Sequence, residues 1–231
     1  MPEPEPLRRR AGAQAAMRMK RETWRDRDFC SHPAVVFDLE ASGLDPRRDR
    51  ILSIGAVRIE DLAIPLDRQY ERVVRAPGPL GLVSRLFHGL TRADLERGVS
   101  PRDALAGLLD FAGDAVWLAF HAGFDRALLA RAVKAHLGMR WDGEVMDLAV
   151  LAPMLFPERA GPGAGLDAWA AAFGLATQAR HAAVADAMLT AELALVVLRC
   201  AQRRGLRTWG ELALAARDWR AERMGPGGPV F

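Results

Sequence analysis

The hydrophobic pattern changes character near residue 100. Before it, short apolar runs are separated by turn residues. Ala34–Asp38, Ile51–Ile59 and Gln69–Val74 read as strands, with Gly43, the Asp45-Pro46 pair and the stretch from Asp61 to Pro65 breaking them. With no helical pattern between them, three such strands are expected to pair antiparallel. After residue 100 helical spacing dominates. Ser100-Pro101 sets an N-cap with proline in the first turn and opens a helix to about Ala112. A buried strand over Ala115–Phe120 precedes an amphipathic helix over Phe124–His136 that Gly138 stops, and a short strand near Glu144–Met146 leads into a helix over Asp147–Leu155. Leu166–Phe173, Ala183–Arg204 and Thr208–Arg223 read as further helices. The sum is an α/β layer fold, a mixed sheet of about five strands with helices on its faces.

The two ends differ from this middle. Residues 1–6, Met followed by alternating Pro and Glu, read as unstructured, while Ala11–Arg27, rich in Ala, Met, Arg and Lys, reads as a helix. The expected organisation is a basic, partly helical extension over residues 1–30, a main domain over 31–205, and a C-terminal helix with a loose Gly-Pro tail over 206–231. A chain of 231 residues, half of them apolar, is long enough to bury a sizeable core.

Charge sharpens the picture. The formal net charge is only +3, but eight Arg and Lys stand against three acids between Arg8 and Asp28. A second basic group, Arg199, Arg203, Arg204 and Arg207, lies late in the chain. This asymmetry suits a phosphate-rich partner, and it equally suits plain solubilising charge at the chain ends. Two cysteines, Cys30 and Cys200, have no metal-ligand spacing and fit a reducing, cytoplasmic setting. The most apolar window, Ala182–Ala201, carries Asp186, Glu192 and Arg199, so no membrane partner is expected.

The candidate chemistry is acidic. Asp38 and Glu40 end the first apolar run two residues apart, so in a strand both side chains face one way. Adjacent carboxylates repel, and a divalent cation with its preference for hard oxygen donors removes that penalty. A solvated acidic turn is the competing reading. Asp125 follows the buried strand Ala115–Phe120 at the opening of a helix, and Asp186 lies near the start of the strongly apolar helix from Ala183. For each of these the competing reading is an acid complementing a helix N-terminus.

In this order, Asp38-x-Glu40, Phe124-Asp125 and His181-x4-Asp186 resemble the DEDD-type 3'-to-5' exonucleases, in the branch with a catalytic histidine. That branch includes the proofreading subunit of bacterial DNA polymerase III and ribonuclease T. Leu52-Ser53-Ile54-Gly55-Ala56-Val57, Phe87-His88-Gly89-Leu90-Thr91 and Leu166 through Leu175 are similar to further segments of the family, and the resemblance runs from about Ala34 to Leu198. It implies a ribonuclease H-like fold and two divalent cations, Mg²⁺ or Mn²⁺, held by Asp38, Glu40, Asp125 and Asp186. It also implies His181 as general base and a nucleotide pocket bordered by Ala41, Ser42, His88, His121 and Phe124. The chain departs from the family pattern at Ala41, where a Thr is common, and at His121, where an Asn is common.

The expected partner is the 3' end of a single-stranded nucleic acid, DNA before RNA, with a nucleoside 5'-monophosphate as product and a standalone or accessory place in replication or repair. An exoribonuclease with the same site, a proofreading subunit docked to a polymerase, and a non-catalytic nucleic-acid-binding domain are the alternatives. On a polymerase partner or a homodimer the sequence is silent.

Overall fold

The computed structural model describes residues 24–76, 89–159, 163–175 and 182–224. Five strands form one sheet: β1 (Ala34–Ala41), β2 (Ile51–Ile59), β3 (Gln69–Val73), β4 (Val116–Ala119) and β5 (Val145–Asp147), in the order β3-β2-β1-β4-β5. As the close spacing of the first three runs predicts, β1 pairs antiparallel with β2 and β2 with β3. Helical crossovers make β4 parallel to β1 and β5 parallel to β4. This is the expected mixed sheet of a ribonuclease H-like fold. The central strand β1 is apolar on both sides, and Val35, Val36 and Phe37 are fully buried.

The helices are α1 (Arg92–Arg97), α2 (Pro101–Ala112), α3 (Ala122–Leu137), α4 (Leu148–Leu155), α5 (Leu166–Phe173), α6 (Ala183–Arg203) and α7 (Trp209–Met224). Strand alternation sorts most of the core into two halves, with a small third cluster of Leu52, Ala76 and Leu95 beside them. Ala34 and Val36 of β1 pack with α4, α5, α6 and the start of α7, where Trp169, Leu193 and Trp209 are buried. Val35, Phe37 and Leu39 face α2 and α3, and an edge-to-face chain of Phe37, Trp117 and Trp141, with centroids 5.1 and 5.2 Å apart, fills that side. Arg58 of β2 ties the sheet to α2 by donating to the Phe111 and Ala112 carbonyls at 2.8 and 3.1 Å, which satisfies the open end of that helix.

Three differences from the sequence expectations have local causes. Residues 24–27 form turns rather than the end of a helix, and the rest of the expected Ala11–Arg27 helix lies outside the described residues. They turn because this segment is drawn alongside α7: Phe29 N–H donates to Arg207 O at 3.0 Å, and Gly210 N–H to Arg25 O at 2.8 Å. Helix α1 is additional, held by a reciprocal cap in which Thr91 accepts from Asp94 N–H at 3.2 Å and Asp94 accepts from Thr91 N–H at 2.9 Å. Helix α3 starts at Ala122 rather than Phe124, because His121 takes a left-handed conformation (φ 56°, ψ 49°) that turns the chain from strand to helix in one step.

Among the described residues, no helix is long and apolar enough to cross a membrane.

Candidate active site

The carboxylates of Asp38 and Glu40 project from the C-terminal end of β1 on the face that carries Ala34 and Val36, toward α6. Asp186 stands in the first turn of α6 and is buried. One oxygen from each of Asp38, Glu40 and Asp186 lies within 4.8 Å of the other two. The close approach of helix to strand depends on Gly55. It pairs with Asp38 across β1 and β2, and a Cβ there would fall 2.1 Å from the Ala183 carbonyl carbon and 2.2 Å from Val184 N. Only a residue without a side chain lets α6 begin directly on the sheet and carry Asp186 to the strand-borne acids.

Asp125 reaches the same place from the other side of the sheet. The described pairing of β1 with β4 covers only Ala34 to Val36, so the β1 backbone beyond it is open on that edge. The Leu39 N–H, between the two strand acids, donates to Asp125 Oδ1 at 3.1 Å. Asp125 is nearly fully buried, and burial pushes its carboxyl up to about 7, the negative charges of Glu40 and Asp147 adding to the rise while the Leu39 N–H opposes it. In this environment an added cation would draw Asp125 toward its ionised form.

The loop after Glu40 is tightly organised. The β1–β2 register shifts between Glu40 and Ala41. Ser42 Oγ donates to Asp49 Oδ1 at 2.7 Å and accepts from Arg50 N–H at 3.1 Å, so its hydroxyl braces the loop. His121 is exposed at the start of α3, its ring edge-on to Phe120 at 4.8 Å, and Phe124 is half-buried against the α2–α3 side of the core. His88 and His181 lie outside the described residues.

One residue at this end of the sheet was not singled out in the sequence. Asp147, the last residue of β5, caps α4 by accepting from Ala149 N–H at 2.9 Å, and also accepts from His121 N–H at 3.0 Å. An Asp immediately before a helical run is the local signal of the cap. The link to His121 has no local signal.

The donor set is chemically uniform. Three carboxylates from two elements converge, a fourth adjoins them, and the group presents only hard oxygen donors, which fits a divalent cation of the Mg²⁺ or Mn²⁺ type.

A mixed five-stranded sheet with an acidic cluster at the end of its central strand is compatible with a metal-dependent nuclease, and the sequence comparisons supply the family. The family model described as Exonuclease, RNase T, matches residues 35–194. The chain therefore belongs to this exonuclease family, whose DEDD-type members are divalent-metal-dependent 3'-to-5' exonucleases. It is 30% identical over 187 residues to a PolC-type DNA polymerase III of Thermotoga petrophila, covering 81% of this chain and 13% of that protein. To a DNA polymerase III subunit epsilon-like protein of Rhodobacter capsulatus it is 32% identical over 186 residues, covering 79% of this chain and 26% of that protein. The chain thus spans a minor part of these curated relatives. Among solved structures, E. coli exonuclease I in complex with a dT13 oligonucleotide superposes with a TM-score of 0.64 at 18% identity, over 76% of this chain and 43% of that one. Exonuclease X in complex with 5' overhanging duplex DNA gives 0.60 at 20% identity, over 79% and 99%. At these identities the likeness is one of fold.

Proposed function

We propose that this chain hydrolyses single-stranded DNA from the 3' end, releasing nucleoside 5'-monophosphates, as a standalone or accessory exonuclease of replication or repair in the cytoplasm. The observation that carries the reading is the convergence of Asp38, Glu40 and Asp186 within 4.8 Å, with Asp125 bonded to the backbone between the first two. These four side chains would hold two Mg²⁺ or Mn²⁺ ions, which supply charge neutralisation at the scissile phosphate and acidify a bound water. His181 takes the proton from the attacking water, a task for which an imidazole is suited near neutral pH. The new bond joins the water oxygen to phosphorus, the bond from phosphorus to the 3' oxygen breaks, and that oxygen leaves with the bonding pair and takes a proton from solvent to become the hydroxyl of the shortened strand. Ala41, Ser42, His88, His121 and Phe124 border the terminal nucleotide. With Ser42 Oγ engaged by Asp49 and Arg50, its contribution to substrate is to hold the loop's shape.

DNA is favoured over RNA because the curated relatives are DNA polymerase III proteins and the fold neighbours include structures solved with DNA.

The test is digestion of 5'-labelled single-stranded DNA and RNA of one sequence with Mg²⁺, Mn²⁺ or EDTA, beside Asp186→Ala. A metal-dependent ladder that shortens from the 3' end, is faster on DNA, and is absent in the variant is expected. Faster loss of the RNA would transfer the reading to an exoribonuclease. Binding without shortening under either metal would make the chain a nucleic-acid-binding domain.

A further inference from the structure

Asp147 carries more bonds than a helix cap needs. Its Oδ1 accepts from Ala149 N–H at 2.9 Å, which is the cap of α4, and from His121 N–H at 3.0 Å, which belongs to a different element. Its Oδ2 accepts from a guanidinium nitrogen of Arg220, on α7, at 3.3 Å. The carboxylate is mostly shielded, with 15% of its side chain exposed, while Arg220 is 45% exposed and reaches in from the surface. One side chain thus joins the end of β5, the start of α3, the start of α4 and the C-terminal helix.

The bond to His121 matters most. His121 holds a left-handed backbone, φ 56° and ψ 49°, without a side-chain cap on α3. For a residue with a Cβ this conformation costs about 1–2 kcal/mol and needs fixed neighbours to persist. The peptide N–H held by Asp147 is the one at the corner where the chain leaves β4 and enters α3. Asp125 follows four residues later, and its carboxylate must meet Leu39 N–H beside the strand acids. A small rotation of the first turn of α3 about that corner would move the Asp125 carboxylate away from β1.

We propose that Asp147 is a positioning residue of the nuclease site, fixing the first turn of α3 and thereby Asp125, and that Arg220 of α7 fixes Asp147 in turn. The inference rests on the reading of Asp125 as a metal-holding residue. It makes the C-terminal helix part of the scaffold of the site, although its sequence contributes none of the acids.

Asp147→Ala, Asp147→Asn and Arg220→Gln separate this role from simple capping. kcat and KM on single-stranded DNA, and Mn²⁺ affinity by calorimetry, are measured well below each variant's melting temperature. Removing partners that orient metal-holding side chains typically costs about 10–100-fold in metal affinity or activity. Asp147→Ala is expected to lose kcat and Mn²⁺ affinity in that range with KM little changed. Asp147→Asn keeps an oxygen for the two N–H groups and should recover most of the loss. Arg220→Gln should show a smaller loss in the same direction that adds nothing in combination with Asp147→Ala. Wild-type kcat and Mn²⁺ affinity in Asp147→Ala, an Asp147→Asn as impaired as the alanine variant, or additive losses with Arg220→Gln would each overturn the proposal. A wild-type protein that neither binds Mn²⁺ nor shortens either polymer would overturn the nuclease reading and this inference with it, an outcome distinct from an active enzyme indifferent to Asp147.

Discussion

Asp125 shows most directly how folding and chemistry oppose each other at one residue. Its carboxyl, ordinarily near 3.8, is pushed up to about 7 chiefly by burial. The folded state therefore binds a proton more tightly than the unfolded chain, and stability linked to this group falls as pH rises from about 4 to about 7. Above that window the folded protein holds a buried anion that the unfolded chain exposes to water. A divalent cation at the acidic cluster reverses the cost, because it attracts the ionised form. Metal-free protein should accordingly melt lower at pH 8 than at pH 5.5, and Mn²⁺ should raise the melting temperature more at the higher pH. Asp125→Asn keeps an oxygen for the Leu39 N–H and removes the charge. It should flatten the pH dependence of the metal-free protein and melt above wild type at pH 8, while losing activity. Thermal melts of both proteins with EDTA across this range check the point, and parallel pH profiles would refute it.

At the scale of elements, the site is a consequence of how closely α6 can lie on β2. Gly55→Ala would put a methyl group about 2 Å from the backbone of Ala183 and Val184, and that backbone cannot yield as a side chain tip would. Overpacking of this kind costs about 1–3 kcal/mol and here also lifts Asp186 away from Asp38 and Glu40. The expected result is a melting temperature lower by several degrees together with weakened Mn²⁺ binding and hydrolysis; a variant destabilised but fully active would mean that α6 can shift without opening the site. Much of this arrangement was legible in the sequence. Strands β1 and β2 are apolar runs with clear turn residues at their ends, and period-two spacing alone placed Asp38 and Glu40 on one face. Asp186 was legible as an acid near the start of a strongly apolar helix, and its place in the His-x4-Asp motif of the resemblance singled it out. What escaped has physical causes. Helix α1 is six residues long and rests on a cap with Asp where Glu or Gln is usual. The start of α3 was displaced by two residues because Ala122-Gly123 reads as loop when the left-handed turn at His121 is not foreseen. Asp147 read only as the first residue of a helix, since its bond to Arg220 spans 73 residues and leaves no periodic trace.

For the whole molecule, the question is where the attraction for a polyanion comes from. Residues 1–23 hold six Arg and Lys against three Glu, so the formal +3 of the chain resides there and residues 24–231 are formally neutral. The acidic site itself repels phosphate until cations occupy it. Removing residues 1–23 leaves the described anchors in place: Phe29 stays buried, its ring edge-on to Trp209 at 5.7 Å, and Arg25 Nη2 donates to both carboxylate oxygens of Glu144 at 2.6 and 2.7 Å. Such a truncation should fold, and should keep kcat at saturating substrate, because the carboxylates begin at Asp38. If the basic segment guides the strand, affinity for a single-stranded oligonucleotide should fall at low salt. The slope of log affinity against log salt should flatten by about 0.7 for each phosphate of a single strand that the shortened chain no longer neutralises. Titrations of the full and shortened chains over a range of salt, with Ca²⁺ replacing Mg²⁺ to slow hydrolysis, give both slopes. An unaltered slope would assign those charges to solubility and would move the search for the phosphate track to the exposed arginines of the β1–β2 loop, Arg47 and Arg48.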